Sequence, residues 1–171
     1  MAFSLKDGGT EGITGGLIQM FSHGVNVVGL FFIADILFTK TGTREINQLG
    51  GIRNVSPQFA SLFLIILLGS VALLLTNGFV GEFLLLNGIY QYSMWACIFA
   101  GLTVILGAVY MLRSYQVIML GETNKLTAGF AALTGNEKTI LVIVCAAVLA
   151  FGIYPKPLLD IAEPALTKII E

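Results

Sequence analysis

The sequence predicts an all-α membrane protein with four transmembrane helices, the second of them discontinuous. Three observations carry that expectation. Of 171 residues, 56% are hydrophobic and 11% charged, whereas a water-soluble domain carries about 25% charged residues. Four apolar runs, at about 13–38, 59–89, 94–120 and 139–154, stand between polar stretches. Three of them exceed the roughly 20 residues that cross a bilayer core as helix. The second run is interrupted by Thr76-Asn77-Gly78-Phe79-Val80-Gly81-Glu82, where poor helix formers surround one acid.

Residues 1–11 read as a polar tail. They lack the basic start, short apolar core and small-residue cleavage site of a signal peptide. The region 12–156 holds the four spans. The first is followed by a polar connector from Thr39 to Pro57, and the second is joined to the third by a short turn near Gln91–Ser93. Tyr90, Tyr92 and Trp95 cluster at that turn, as an aromatic belt at a membrane surface does. A second polar connector, Gly121 to Lys138, leads into the shortest span, which Pro155 ends because proline cannot continue the hydrogen-bond ladder. Residues 157–171 read as a surface tail, helical and amphipathic but interrupted at Pro164.

Alternating helices place both long connectors on one side and both tails on the other. The connectors hold Lys40, Arg44, Arg53, Lys125 and Lys138, and the tails hold Lys6, Lys156 and Lys168. The excess of basic residues predicts cytoplasmic connectors and tails on the outer side.

Polar side chains inside the spans are expensive and mark function or packing. The first span carries Gln19, Ser22, His23 and Asn26, at offsets that share one helical face. Two readings fit the stripe: interhelical hydrogen bonding, or a proton wire in which His23, the one histidine, exchanges a proton near neutral pH. On the third span, Ala96, Ala100, Thr103, Gly107, Tyr110 and Ser114 form a small and polar stripe suited to close helix approach. Arg113 either reaches the headgroups or turns inward to an acid. Glu82, beside the opened turn at Thr76, Asn77, Gly78 and Gly81, is either the candidate proton-carrying group or a structural carboxylate that caps the opened helix or holds one fixed partner. Its charge would depend on what stands beside it. Asp35 and Lys40 fall near the end of the first span, within reach of water or of an interfacial partner.

Other chemistry is not legible. Net charge is −1, which gives no footprint for nucleic acid. Cys97 and Cys145 stand alone in apolar segments, without metal spacing, and read as small buried hydrophobes. No phosphate loop, metal cluster or nucleophile–base set is present in the sequence.

Four segments in order, GGLIQMFSHGVNVVGLFF (15–32), TREINQLGG (43–51), TNGFVGEFLLL (76–86) and FGIYPKPLLD (151–160), are similar to a known family. They resemble the C-terminal part of chain M of NADH-quinone oxidoreductase, the antiporter-like membrane subunit of respiratory complex I. The resemblance implies a proton-translocating subunit in a bacterial inner membrane, with Glu82 as the exit-side titrating group and His23 as a relay. Gln19, Ser22, Asn26, Thr76, Asn77, Tyr110 and Arg113, read above from the spans themselves, would support that path as a polar network. It implies as partners the lipid bilayer, the other membrane subunits of the complex, and N-terminal helices of the same subunit beyond these four spans. NADH, flavin, iron–sulfur clusters and quinone would belong to the parent complex, leaving this chain without a cofactor, metal or redox site of its own. Related antiporter-like chains usually have lysine where Glu82 stands, and this family commonly has proline where Leu74 stands. The alternatives are a subunit of a multi-subunit sodium/proton antiporter and a truncated helical bundle that transports nothing.

Overall fold

The structure, a computed structural model, describes residues 9–161. Every regular element among them is helical: α1 (Gly9–Thr41), a 3-10 turn at Ile46–Gln48, α2 (Ile52–Val55), α3 (Pro57–Ser70), α4 (Asn77–Tyr92), α5 (Met94–Met119) and α6 (Gly135–Ile153). Residues 156–161 are helical as well. The N-terminal tail before Gly9 and the remainder of the surface tail, from 162 on, lie outside the described residues.

Helices α1, α5 and α6 are each long and apolar enough to cross a membrane. Helix α3, with 14 residues, rises about 21 Å and falls short of the roughly 30 Å hydrocarbon layer. With α4 it makes the second, discontinuous crossing. Local chemistry fixes the helix starts. Pro57 opens α3 with the backbone angle a first turn needs. Ser93 caps α5 by accepting from the Ala96 amide. Thr134 and Glu137 close a reciprocal capping box on α6.

The interruption differs from the sequence expectation in place and cause. The sequence predicts an opening at Thr76–Gly78, with Gly78 and Gly81 in the break. The unwound residues are instead Val71–Thr76. There α3 ends with Leu73 N donating to Leu68 O at 3.1 Å and Ala72 N to Gly69 O at 3.3 Å. That is the double bond pattern of a Schellman terminus, with Ala72 in the left-handed position usually held by glycine (φ 53°). Leu75 is left-handed too, at φ 72°. Asn77 and Gly78 are already the first residues of α4. Gly78 and Gly81 serve close packing: a Cβ at Gly78 would strike Gly69 O, and one at Gly81 would stand 2.5 Å from Gln19 Oε1 and 2.9 Å from Gln19 Cα.

The apolar core lies at the connector end. Phe59 of α3 is wholly buried and stacks on Phe63 and Phe130 with centroids 6.4 and 5.4 Å apart. Ile33 and Ile36 of α1, Ile66 and Leu67 of α3, Met119 of α5 and Leu141 of α6 close around them. The two connectors fold against each other on one side of the bundle. Gly51 N donates to Leu120 O at 2.9 Å, Thr127 Oγ1 to Gly50 O at 2.7 Å, and Asn124 Nδ2 to Gln48 O at 2.8 Å. Lys40, at the end of α1, donates to Ala132 O and pairs with Glu137 Oε2, each at 3.1 Å.

Candidate functional site

The site forms where the N-terminal half of α1 lies along α4. Gln19 Nε2 donates to Glu82 Oε1 at 3.1 Å. One turn further along α1, Ser22 Oγ donates to Asn77 O at 3.0 Å, and Asn77 Nδ2 returns a bond to Ser22 O at 3.3 Å. This reciprocal pair pins the first residue of α4 to α1 just past the break. Thr76 Oγ1 donates back to Leu73 O at 2.6 Å and so ties off the unwound turn. Asn26, a further turn along, is buried beside Gly69: a Cβ there would meet Asn26 Oδ1 at 3.0 Å and Asn77 Oδ1 at 3.3 Å.

Four buried oxygens of this file accept no hydrogen bond among the described residues: Gln19 Oε1, Asn26 Oδ1, Asn77 Oδ1 and Glu82 Oε2. Buried acceptors are nearly always satisfied, and an exception calls for a functional or solvent explanation. Glu82 also borders a cleft of about 170 Å³ whose other walls include Ser70, Val71, Thr103, Gly107 and Tyr110. The third-span stripe therefore meets α4 partly as a cleft wall rather than as a tight seam. Thr103 Oγ1 already donates to Ala100 O at 2.7 Å.

Of the residues singled out in the sequence, Glu82, Gln19, Ser22, Asn26, Thr76 and Asn77 converge on one file, and Tyr110 reaches its cleft. Two do not join. His23 is exposed on the flank of α1 and has no polar partner among the described residues. Successive helical residues are rotated by about 100°, so His23 stands that far around the axis from the buried Ser22 beside it. Arg113 is exposed and lines a separate groove with Val109, Leu112, Gln116 and Leu120. It takes the outward of the two positions open to it.

Sequence reasoning also missed two features. The partner of Lys40 is Glu137, whose capping-box spacing from Thr134 was readable although its neighbour was not. Gly69 lets Asn26, Asn77 and Val148 close over the end of α3, and no local signal distinguishes it from other membrane glycines. Among the described residues, no group of three or more His, Cys, Asp or Glu is arranged to hold a metal.

A family described as NADH:quinone oxidoreductase/Mrp antiporter, transmembrane, matches residues 1–108. The chain belongs to that family. It is 41% identical over 169 residues to NADH-quinone oxidoreductase subunit M of Rickettsia bellii, covering 98% of this chain and 34% of that one. The Mycobacterium tuberculosis subunit M is 34% identical over 157 residues, covering 92% and 28%. In the solved structure of respiratory complex I from Thermus thermophilus with bound NADH, one chain superposes with a TM-score of 0.87 at 35% identity, over 99% of this chain and 36% of that one. The resemblance to chain M carried by the four segments thus holds across the whole sequence. The chain is similar to part of an antiporter-like membrane subunit of the complex I type and spans about a third of the length of such relatives.

Proposed function

We propose that this chain forms part of a proton path through the membrane arm of an NADH:quinone oxidoreductase, with Glu82 as the group that takes up and releases the proton. What supports the reading is one observation: a carboxylate just past an unwound turn, with Oε1 held by Gln19 and Oε2 buried without a partner beside a polar-walled cleft. A buried oxygen without a partner calls for a functional or solvent explanation. A carboxylate with such an oxygen is ready to accept a proton there. In this reading Ser22, Asn26, Thr76 and Asn77 hold the helix break and continue the polar file along α1, and Tyr110 borders the cleft. His23 passes protons to whatever packs on the outer flank of α1, and Arg113 faces the headgroup region. Connectors lie in the cytoplasm and tails outside the bacterial inner membrane. Lipid and neighbouring membrane subunits cover the apolar face of α5, where Trp95, Phe99 and Ile105 stand outward. NADH, flavin, iron–sulfur clusters and quinone are bound by other subunits, whose redox work shifts the charge near Glu82.

The test is Glu82→Gln in the assembled membrane enzyme. The expected outcome is loss of most NADH-driven proton uptake into vesicles, with the complex still assembled. Undiminished pumping would overturn the reading. Sodium-dependent flux in vesicles free of quinone reductase activity would instead favour a sodium/proton antiporter subunit.

A further inference from the structure

We infer that the side-chain amide of Gln19 is a two-state partner of Glu82, donating to it when it is ionised and accepting from it when it is protonated. The inference rests on the proposed role of Glu82 and adds how that acid is held in both charge states. In the structure, Gln19 Nε2 donates to Glu82 Oε1 at 3.1 Å. That is the bond an ionised carboxylate requires, since it can only accept. The same amide carries Oε1, which is buried and has no hydrogen-bond partner among the described residues, and Glu82 carries Oε2 in the same condition.

These two vacant acceptors on already bonded partners are complementary rather than separate defects. A protonated carboxyl group must donate its hydrogen. Ser70, Thr103 and Tyr110, the hydroxyls of the cleft wall, make no hydrogen bond to Glu82 among the described residues, the first two donating instead to Ile66 O and Ala100 O. Gln19 Oε1 is the buried acceptor attached to a group already in contact. The terminal torsion of a glutamine is broad and nearly two-fold, so a half-turn exchanges Nε2 for Oε1 with little change of shape. The proton taken up at Oε2 stays on Glu82, whose carboxyl group turns in step to bring the protonated oxygen to the amide, and the direction of the hydrogen bond reverses. Gly81 supplies the clearance, because a Cβ there would stand 2.5 Å from Gln19 Oε1 and 2.9 Å from Gln19 Cβ. Gln19 is accordingly a positioning residue, acting through Glu82.

The experiment is difference infrared spectroscopy of the assembled membrane enzyme between its resting and turning-over states. The Glu82 carboxyl band is identified by its loss in Glu82→Gln. In Gln19→Met, which keeps length and removes both polar ends, that band moves to the higher wavenumber of a carboxyl group donating no hydrogen bond. Proton pumping falls about tenfold, the worth of one hydrogen bond to a charged group. Gln19→Glu, which retains an acceptor, keeps the band near its original position. An unmoved band in Gln19→Met overturns the assignment of Gln19 while leaving the role of Glu82 intact. Persistence of every carboxyl band in Glu82→Gln, with full pumping, removes the underlying reading instead. The unmutated enzyme gives an independent check. Glutamine labelled with 13C at the side-chain carbonyl must show an amide band in the same difference spectrum, absent in Glu82→Gln. No such band would also overturn the proposal.

Discussion

The two ends of this bundle are built on opposite terms. At the connector end, Phe59, Phe63, Phe130, Ile66 and Met119 fill a closed apolar core, and the charged groups drawn into it are paired, as Lys40 is with Glu137. At the break end, α1 and α4 meet through Gln19, Ser22, Asn26, Asn77 and Glu82, and four buried oxygens lack a bond. One end is satisfied and the other is left short of partners. The contrast teaches that rigidity and reactivity are divided along the helices rather than mixed: the filled end holds α1, α3 and α6 in place so that the unfilled end can keep its vacancies.

The division can be broken from either side. The largest stability effect belongs to the core. Phe59→Ala should cost about 3–5 kcal/mol, read as a lower thermal unfolding midpoint of the subunit in detergent. Next comes the ion pair, whose Lys40 side chain is 8% exposed. Lys40→Met leaves Glu137 held by the Thr134 amide alone and should cost about 1–3 kcal/mol, and adding Glu137→Gln, which removes the charge and keeps the capping box, should recover most of that loss. A double variant as unstable as the single one would show that Lys40 acts through Ala132 O alone. The smallest effect lies at the break. Leu75 is left-handed and exposed, so Leu75→Gly should stabilise the chain by about 1 kcal/mol through relief of backbone strain. A loss of stability there would mean that the Leu75 side chain, not its backbone, holds the turn.

How much of this was legible in the sequence divides along similar lines. Spans could be read because apolar length is a direct demand of the bilayer, and the acid stood out because charge is costly there. The position of the break could not be read locally. Its residues, Val71-Ala72-Leu73-Leu74-Leu75, include good helix formers, and packing from neighbouring helices overrides that preference. Gly78 and Gly81 looked like breakers because glycine is a poor helix former in isolation, yet between membrane helices a small residue is a contact surface. Leu74, where the resemblance leads one to expect proline, lies within the unwound segment, and the helix opens without that ring. The polar stripe on α1 was legible as a stripe. Which of its edges would be covered depended on where α4 settles, and His23 fell on the uncovered edge while Gln19, Ser22 and Asn26 did not.

Gly152 of α6 lies flush against the unwound turn, so close that a Cβ would run into Leu75 O and the backbone of Thr76. The turn is thus seated on a third helix rather than slung freely between its own two halves. Any displacement of it must push α6 along, and with it the Pro155 corner and the helical residues beyond. Mechanical motion at the membrane's middle would be delivered to its rim, much as a crank delivers it to a shaft.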